Sequence, residues 1–192
     1  MTNAASFRRQ FWSGGFYELA IEVGSTDDAA LQAVLDAVWT AAQVQGCYGH
    51  EGREPEEQEA VPRTIAALEE FGQLLGRVRL PTGELVAFGV TAVRGGDDSS
   101  DWLDFGVPLS ALWQAGVAFE EGPFERSAAT DDWLAALATD AFREAPFSLG
   151  LVGWNVSGLA EAALLSDGLP EKRGMGYLLP RDGVLHYGAV ND

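Results

Sequence analysis

Alternating hydrophobic and polar positions predict a strand near the start of the chain. Between residues 16 and 23, apolar side chains alternate with the carboxylates of Glu18 and Glu22, as in a strand with one buried face. Apolar residues then recur every three or four positions over residues 31–42, which is typical of an amphipathic helix, and Gly46 is its expected end. The two patterns together favour a helix packed on a sheet.

Two later segments have the alternation and turn residues of hairpins. Residues 78–94 predict a hairpin turned at residues 81–84, Pro-Thr-Gly-Glu, and residues 177–190 predict another turned at residues 180–183, Pro-Arg-Asp-Gly. Proline and glycine favour such turns because proline restricts φ and glycine accepts positive φ. Each hairpin follows a strand and a helix along the chain.

Strands and helices in this order predict an α+β fold, with a largely antiparallel sheet and helices on one face. We expect residues 1–15, which end in Ser-Gly-Gly, to form a flexible or loosely docked arm, and residues 16–192 to form one α+β domain. The similarity of the hairpins leaves a second alternative open. The domain could consist of two related strand–helix–hairpin halves, at about residues 16–96 and 97–192.

The charge of the chain restricts the kinds of partner that it can attract. The sequence has 29 acidic residues against 12 basic ones and a formal net charge of −17 at pH 7. A strong negative field repels nucleic acid and anionic membranes and attracts cationic partners at low salt. We therefore expect no nucleic-acid and no membrane partner, and we consider a basic protein the best candidate partner.

The sequence also predicts a cytoplasmic protein. Its one cysteine, Cys47, rules out an internal disulfide framework. The first 15 residues lack the apolar run of a secretory signal, and no stretch approaches the roughly 18 apolar residues of a membrane span. The oligomeric state stays open, because pairing between exposed hairpin edges is a third alternative.

No motif of catalysis, metal binding or phosphate binding is complete in this chain. Cys47 and His50 are close in sequence, but no nucleophile elbow or oxyanion-hole motif accompanies them. Counting a calcium loop from Asp97 puts Trp102 at the sixth position and Pro108 at the twelfth, where glycine and glutamate are needed. We therefore expect no metal site and no cofactor.

The residues that we consider candidates for a contact surface are acidic side chains in two loops and one tryptophan. Tryptophan is enriched at interface hot spots, and carboxylates would attract a basic partner. These candidates are Glu51, Glu54, Glu56, Glu57, Glu59, Asp97, Asp98, Asp101 and Trp133.

Two functions from different classes remain open at this point. The first is a non-catalytic binding protein that captures a basic protein partner, similar in character to small immunity proteins and antitoxins, which neutralise cationic toxins. The alternative is a hydrolase-like or metal-assisted enzyme that uses clustered carboxylates. A concave pocket that holds two or more carboxylates with perturbed pKa values would favour the enzyme.

Overall fold

The computed structural model describes residues 3–96, 99–122 and 125–192 and contains one eight-stranded sheet. The strands are β1 (Phe16–Glu22), β2 (Gln45–Tyr48), β3 (Leu74–Arg79), β4 (Leu85–Val93), β5 (Trp102–Pro108), β6 (Leu149–Trp154), β7 (Gly176–Arg181) and β8 (Val184–Gly188). Their order across the sheet is β2-β3-β4-β5-β1-β6-β7-β8, and all neighbours are antiparallel. This arrangement confirms the predicted α+β fold.

Four α-helices contribute to the main core, on one face of the sheet. They are α1 (Asp28–Ala41), α2 (Ile65–Phe71), α3 (Leu109–Gln114) and α4 (Ala128–Glu144). Short 3-10 helices form at Asn3–Ala5, Arg9–Phe11, Pro55–Glu57 and Ala162–Leu165. None of the helices in the described part of the chain has the combined length and apolar character needed to cross a bilayer.

The core face follows from the alternation in β1. Tyr17, Leu19 and Ile21 are at most 1% exposed and face the helices, because successive strand residues point to opposite faces. Asp27 is the N-cap of α1, because its carboxylate accepts a hydrogen bond from the Ala29 N–H at 3.2 Å, as N-cap residues do.

Two segments cover parts of the other face of the sheet. The first is residues 3–15, here called the N-terminal segment, which is the described part of the arm that we expected at residues 1–15. Its Phe7 is fully buried against Leu75 and Ala87, so the described part of this segment is packed on the sheet. The second is residues 156–175, here called the covering segment, which packs on β1, β6 and β7.

Both predicted hairpins form, at β3–β4 and β7–β8. Asp182 and Gly183 turn the second hairpin with φ values of 52° and 75°, the left-handed conformations that a tight two-residue turn requires. The hairpins differ in orientation within the sheet. The second strand of the first hairpin, β4, pairs with β5, whereas the first strand of the other, β7, pairs with β6. Duplication of the two halves stays a prediction.

Candidate functional site

Residues 51–59, here called the acidic loop, lie against the N-terminal segment. Arg8 pairs with Glu57 at 2.6 Å, and Arg9 pairs with Glu51 at 3.0 Å. Arg77 of β3 lies 3.5 Å from Glu56. The chain's own guanidinium groups therefore partly neutralise three of the carboxylates that we predicted to face a partner.

Glu54 is the most enclosed carboxylate of the acidic loop. It accepts hydrogen bonds from the Ser6 hydroxyl and from the Phe7 N–H, and it lies 3.5 Å from both Arg8 and Arg77. A carboxylate with this many donors holds the N-terminal segment in place. In contrast, Glu59 is exposed and forms no ion pair within the described residues.

The other predicted contact residues lie on different elements. Asp97 and Asp98 lie outside the described residues. Asp101 has no exposed surface, accepts a hydrogen bond from the Gly95 N–H at 2.8 Å and lies 3.3 Å from Arg94, so it fixes its own loop internally. Trp133 of α4 is half-buried at the edge of the core, with its ring 6.3 Å from that of Phe105.

Cys47 and His50 do not have the environment of a reactive pair. Burial raises the pKa of the Cys47 thiol to about 11, so the thiolate, which is the nucleophilic form, is scarce at neutral pH. The His50 ring packs edge-on against Phe71, with centroids 5.1 Å apart. Cys47 and His50 therefore have the environment of packed side chains.

A cleft of about 690 Å³ opens at one end of the sheet, where β1 begins, β6 ends and β7 begins. We call it the end cleft. Its walls combine acidic side chains with aromatic and aliphatic ones. The residues that line it are Tyr17, Glu120, Glu121, Gly122, Glu125, Arg126, Asp131, Gly153, Trp154, Asn155, Val156, Leu159, Gly174, Met175, Tyr177, Val190 and Asp192.

The most buried carboxylate in the end cleft is that of Asp131, in the first turn of α4. Asp131 is 3% exposed, and its Oδ1 accepts a hydrogen bond from the Tyr17 hydroxyl at 2.6 Å. The Tyr17 oxygen in turn accepts a hydrogen bond from the Ser127 N–H at 3.0 Å. A strand, a helix and the residue before that helix thus hold the carboxylate in one orientation.

Burial changes the protonation of this pair. It raises the pKa of Asp131 to about 6, and the Tyr17 hydrogen bond and the charge of Arg126 oppose that rise. The pKa of Tyr17 lies well above its ordinary value because of burial and then because of the hydrogen bond to Asp131. Desolvation disfavours the charged form of both groups. Asp131 therefore changes charge near pH 6.

The end cleft carries an excess of negative charge. Five carboxylate side chains line it, and among its described lining residues Arg126 is the one cation. Arg126 lies 3.2 Å from Glu120, and Lys172 lies 3.7 Å from Asp192, so two of the five carboxylates have a cationic partner. The sequence held one signal for this site. Asp131 stands three residues before Leu134 and seven before Ala138, on the buried stripe of α4, where a charge is unusual.

Two half-buried carboxylates, Glu18 and Asp104, lie on the other face of the sheet and attach the covering segment. Glu18 accepts hydrogen bonds from the Val156 and Ser157 N–H groups at 2.9 and 3.1 Å, and Asp104 accepts one from the Ser157 hydroxyl at 2.8 Å. Burial is the main cause that raises the pKa of both carboxyl groups. Their partners are donors of the covering segment, which indicates a structural role.

The described residues contain no group of three or more histidine, cysteine, aspartate or glutamate side chains placed to hold a metal ion. A comparison with protein-family models, with curated proteins and with solved structures finds no significant match to this chain.

Proposed function

We propose that the protein is a non-catalytic binding protein that captures a basic protein partner in the cytoplasm, and that the end cleft is its contact site. The observation that carries this proposal is the lining of the cleft, five carboxylates and one guanidinium beside aromatic and aliphatic walls. Interfaces gain association rate and specificity from complementary charge, and affinity from a central apolar contact. The end cleft offers both in one place.

The acidic loop is a weaker candidate, although we predicted it as the contact surface. Four of its five glutamates lie within 3.5 Å of arginines in the same chain. A partner's cation would have to compete with these pairs, so its net gain would be small. In the end cleft, Glu120 pairs with Arg126 and Asp192 with Lys172. The other three carboxylates, Glu121, Glu125 and Asp131, form no ion pair within the described residues, and this difference favours the cleft.

An enzyme with clustered carboxylates is the second candidate, and one observation favours it. Asp131 has a pKa of about 6 and lies in a cleft, as a general acid or base does. However, Asp131 is the one buried carboxylate among the described residues that line the cleft. Glu18 and Asp104 have raised pKa values but hold the covering segment on the sheet. A single buried acid in the cleft supports binding better than catalysis.

A peptide-binding experiment tests the proposal. The probe is a fluorescein-labelled hexapeptide of arginine, lysine and leucine, compared with a glutamate-rich peptide of equal length, by fluorescence anisotropy in 50 mM NaCl with the full chain. We expect the basic peptide to bind and the acidic one not to bind. Raising NaCl to 300 mM should weaken binding, because salt screens exposed charges.

Matched variants identify the contact surface. The double variant Glu121→Gln/Glu125→Gln removes two carboxylates from the end cleft, and Glu56→Gln/Glu59→Gln removes two from the acidic loop. We expect the first to weaken the basic peptide by about threefold to tenfold, since exposed charge pairs contribute about 0.2–1 kcal/mol each, and the second to have little effect. An unbound basic peptide, or equal losses in the two variants, would contradict the proposal.

A further inference from the structure

The lining of the end cleft is amphipathic. Its aliphatic wall includes Met175, Val156 and the exposed Leu159. Trp154 and Tyr177 also line it, and a hydrogen bond of 2.6 Å from the Trp154 indole N–H to the Gly14 carbonyl fixes that indole. A ligand that fits this lining has an apolar stem and a polar end group. Long basic side chains have this construction.

The buried carboxylate selects between the two kinds of basic end group. Asp131 is 3% exposed, so a cation that reaches it must give up most of its water. A guanidinium is more weakly hydrated than an ammonium, and it is planar with five N–H donors. It can therefore approach a buried carboxylate with a smaller loss of hydration. It can also donate to rim carboxylates at the same time, which a single ammonium does less well.

Aromatic walls favour the same choice, and the chain contains an internal example. The Arg77 guanidinium lies over the Phe7 ring, 5.5 Å from its centroid, and also lies 3.5 Å from Glu54. An arginine is thus held between a ring and a carboxylate within this fold. The end cleft contains the same two elements, Trp154 or Tyr177 as the ring and Asp131 as the carboxylate, and its own Arg126 pairs with Glu120 at 3.2 Å.

From this geometry we infer that the end cleft selects an arginine side chain of the partner, with its stem along the apolar wall and its guanidinium paired with Asp131. The inference rests on the proposed function and assigns Asp131 as its specificity-determining residue. Tyr17 is a positioning residue, because its hydroxyl fixes Oδ1 of Asp131 at 2.6 Å. The Arg126 guanidinium is turned toward Glu120 and the Val190 carbonyl, at 3.2 and 3.5 Å.

The experiment compares three peptides that differ at one position. A labelled hexapeptide with one central arginine is compared with its lysine and citrulline counterparts, because citrulline keeps the shape of arginine without its charge. The full chain is titrated with each peptide by anisotropy in 50 mM NaCl. We expect the arginine peptide to bind at least tenfold more tightly than the other two.

Two variants on α4 test the role of Asp131. Asp131→Asn keeps the size of the side chain and its acceptor for Tyr17, and we expect it to abolish the preference for arginine over lysine. Asp140→Asn is the matched control, since Asp140 lies on the same helix and pairs with Arg143 at the surface. It should leave the preference unchanged. Urea denaturation of each variant confirms that it is folded.

A pH series with the unmodified protein adds a readout that needs no variant. The titratable or charged groups that interact with Asp131 are Tyr17, Arg126, Asp132, Glu120 and Tyr187. Protonation of Asp131 should weaken the arginine peptide at least threefold between pH 7.5 and pH 5, and Asp131→Asn should flatten this dependence.

The outcomes separate the inference from the proposed function. Equal affinity for the arginine and lysine peptides would overturn the selection of arginine and leave capture of a basic partner standing. A preference that survives in Asp131→Asn would overturn the role of Asp131. Failure of every basic peptide to bind, including the arginine- and lysine-rich hexapeptide, would overturn both proposals.

Discussion

The acidic loop and the end cleft both contain several carboxylates, but the partners of these carboxylates differ. In the acidic loop, carboxylates face Arg8, Arg9 and Arg77, and the result is a closed contact between two segments of the chain. In the end cleft, carboxylates line a cavity, and Arg126 is the one cation among its described lining residues. Acidic residues that are close together in sequence are therefore not necessarily the ones whose charge is available to a partner.

Burial separates the two regions further. Glu57 and Glu51 of the acidic loop have side chains that are 47% and 42% exposed, so water screens their ion pairs. Asp131 is 3% exposed, so its charge interacts through a medium of low dielectric constant. The ion pairs of the acidic loop therefore contribute little energy, whereas ionisation of Asp131 carries a large cost of desolvation.

The largest effect that we expect is on the packing of the N-terminal segment. Phe7→Ala should lower the free energy of unfolding by about 3–4 kcal/mol, because removing a fully buried phenylalanine leaves a cavity. Urea denaturation measures this change. Phe11→Ala is the control, since Phe11 is half-buried and should cost clearly less. A cost below about 1 kcal/mol for Phe7→Ala would mean that this segment is held mainly by its ion pairs.

The next effect depends on pH. The pKa of Asp131 is about 6 in the folded protein and 3.8 ordinarily, so the folded state retains a proton that the unfolded chain loses between pH 4 and 6. Stability from this group is therefore full below pH 4 and is lost as pH rises through 6. Asp131→Asn cannot ionise and escapes this loss. The free energy of unfolding of Asp131→Asn, relative to that of the wild-type protein, should be about 2 kcal/mol higher at pH 8 than at pH 4.

Urea denaturation at the two pH values gives this difference directly. The exposed Asp140 provides the control, because Asp140→Asn should shift stability equally at both. Parallel pH profiles for the wild-type protein and Asp131→Asn would show that the Asp131 carboxyl is better solvated than its burial implies.

A smaller effect is expected within the acidic loop. Glu54→Gln should lower the free energy of unfolding by about 1–2 kcal/mol, because it weakens hydrogen bonds to a charged acceptor that join Ser6 and Phe7 to the loop. Glu59→Gln is the matched control and should change stability by less than about 0.5 kcal/mol. Equal effects in chemical denaturation would refute a special role for Glu54.

The smallest effect distinguishes exposed from buried charge by salt. Glu57→Gln keeps the hydrogen bond from the Glu54 N–H but loses the charge opposite Arg8, which should cost about 0.5 kcal/mol at low salt. In 1 M NaCl the screening length is about 3 Å, and this cost should vanish. The Asp131→Asn difference should persist under the same conditions. Denaturation midpoints at both salt concentrations measure each change.

Local elements were predictable where neighbouring residues determine them. Alternation identified β1, and turn residues identified both hairpins. The pattern did not predict β2, because Gln45–Tyr48 lacks alternation and pairs with β3 alone. Helix α4 begins at Ala128, directly after Ser127, and the Thr130 hydroxyl in its first turn donates to the Ser127 hydroxyl at 3.0 Å.

The candidate site was less predictable, because tertiary contacts decide which charges are free. Nothing near Glu54 in the sequence indicates that Ser6 and Phe7 will bind it. The end cleft combines residues 17, 120–122, 125, 126, 131, 153–156, 159, 174, 175, 177, 190 and 192. No local pattern joins these residues. Asp131 on the buried stripe of α4 is the one residue whose position could have identified the cleft.

The position of β1 has a consequence for how the chain acquires its fold. This early strand lies at the centre of the sheet, and its partners β5 and β6 are far along the chain. During synthesis, β1 has no strand to pair with until residues 102–108 emerge, and it is enclosed on both sides only after residues 149–154. Formation of such distant pairs is slow, so β1 stays without a strand partner while the residues between β1 and β5 are synthesised.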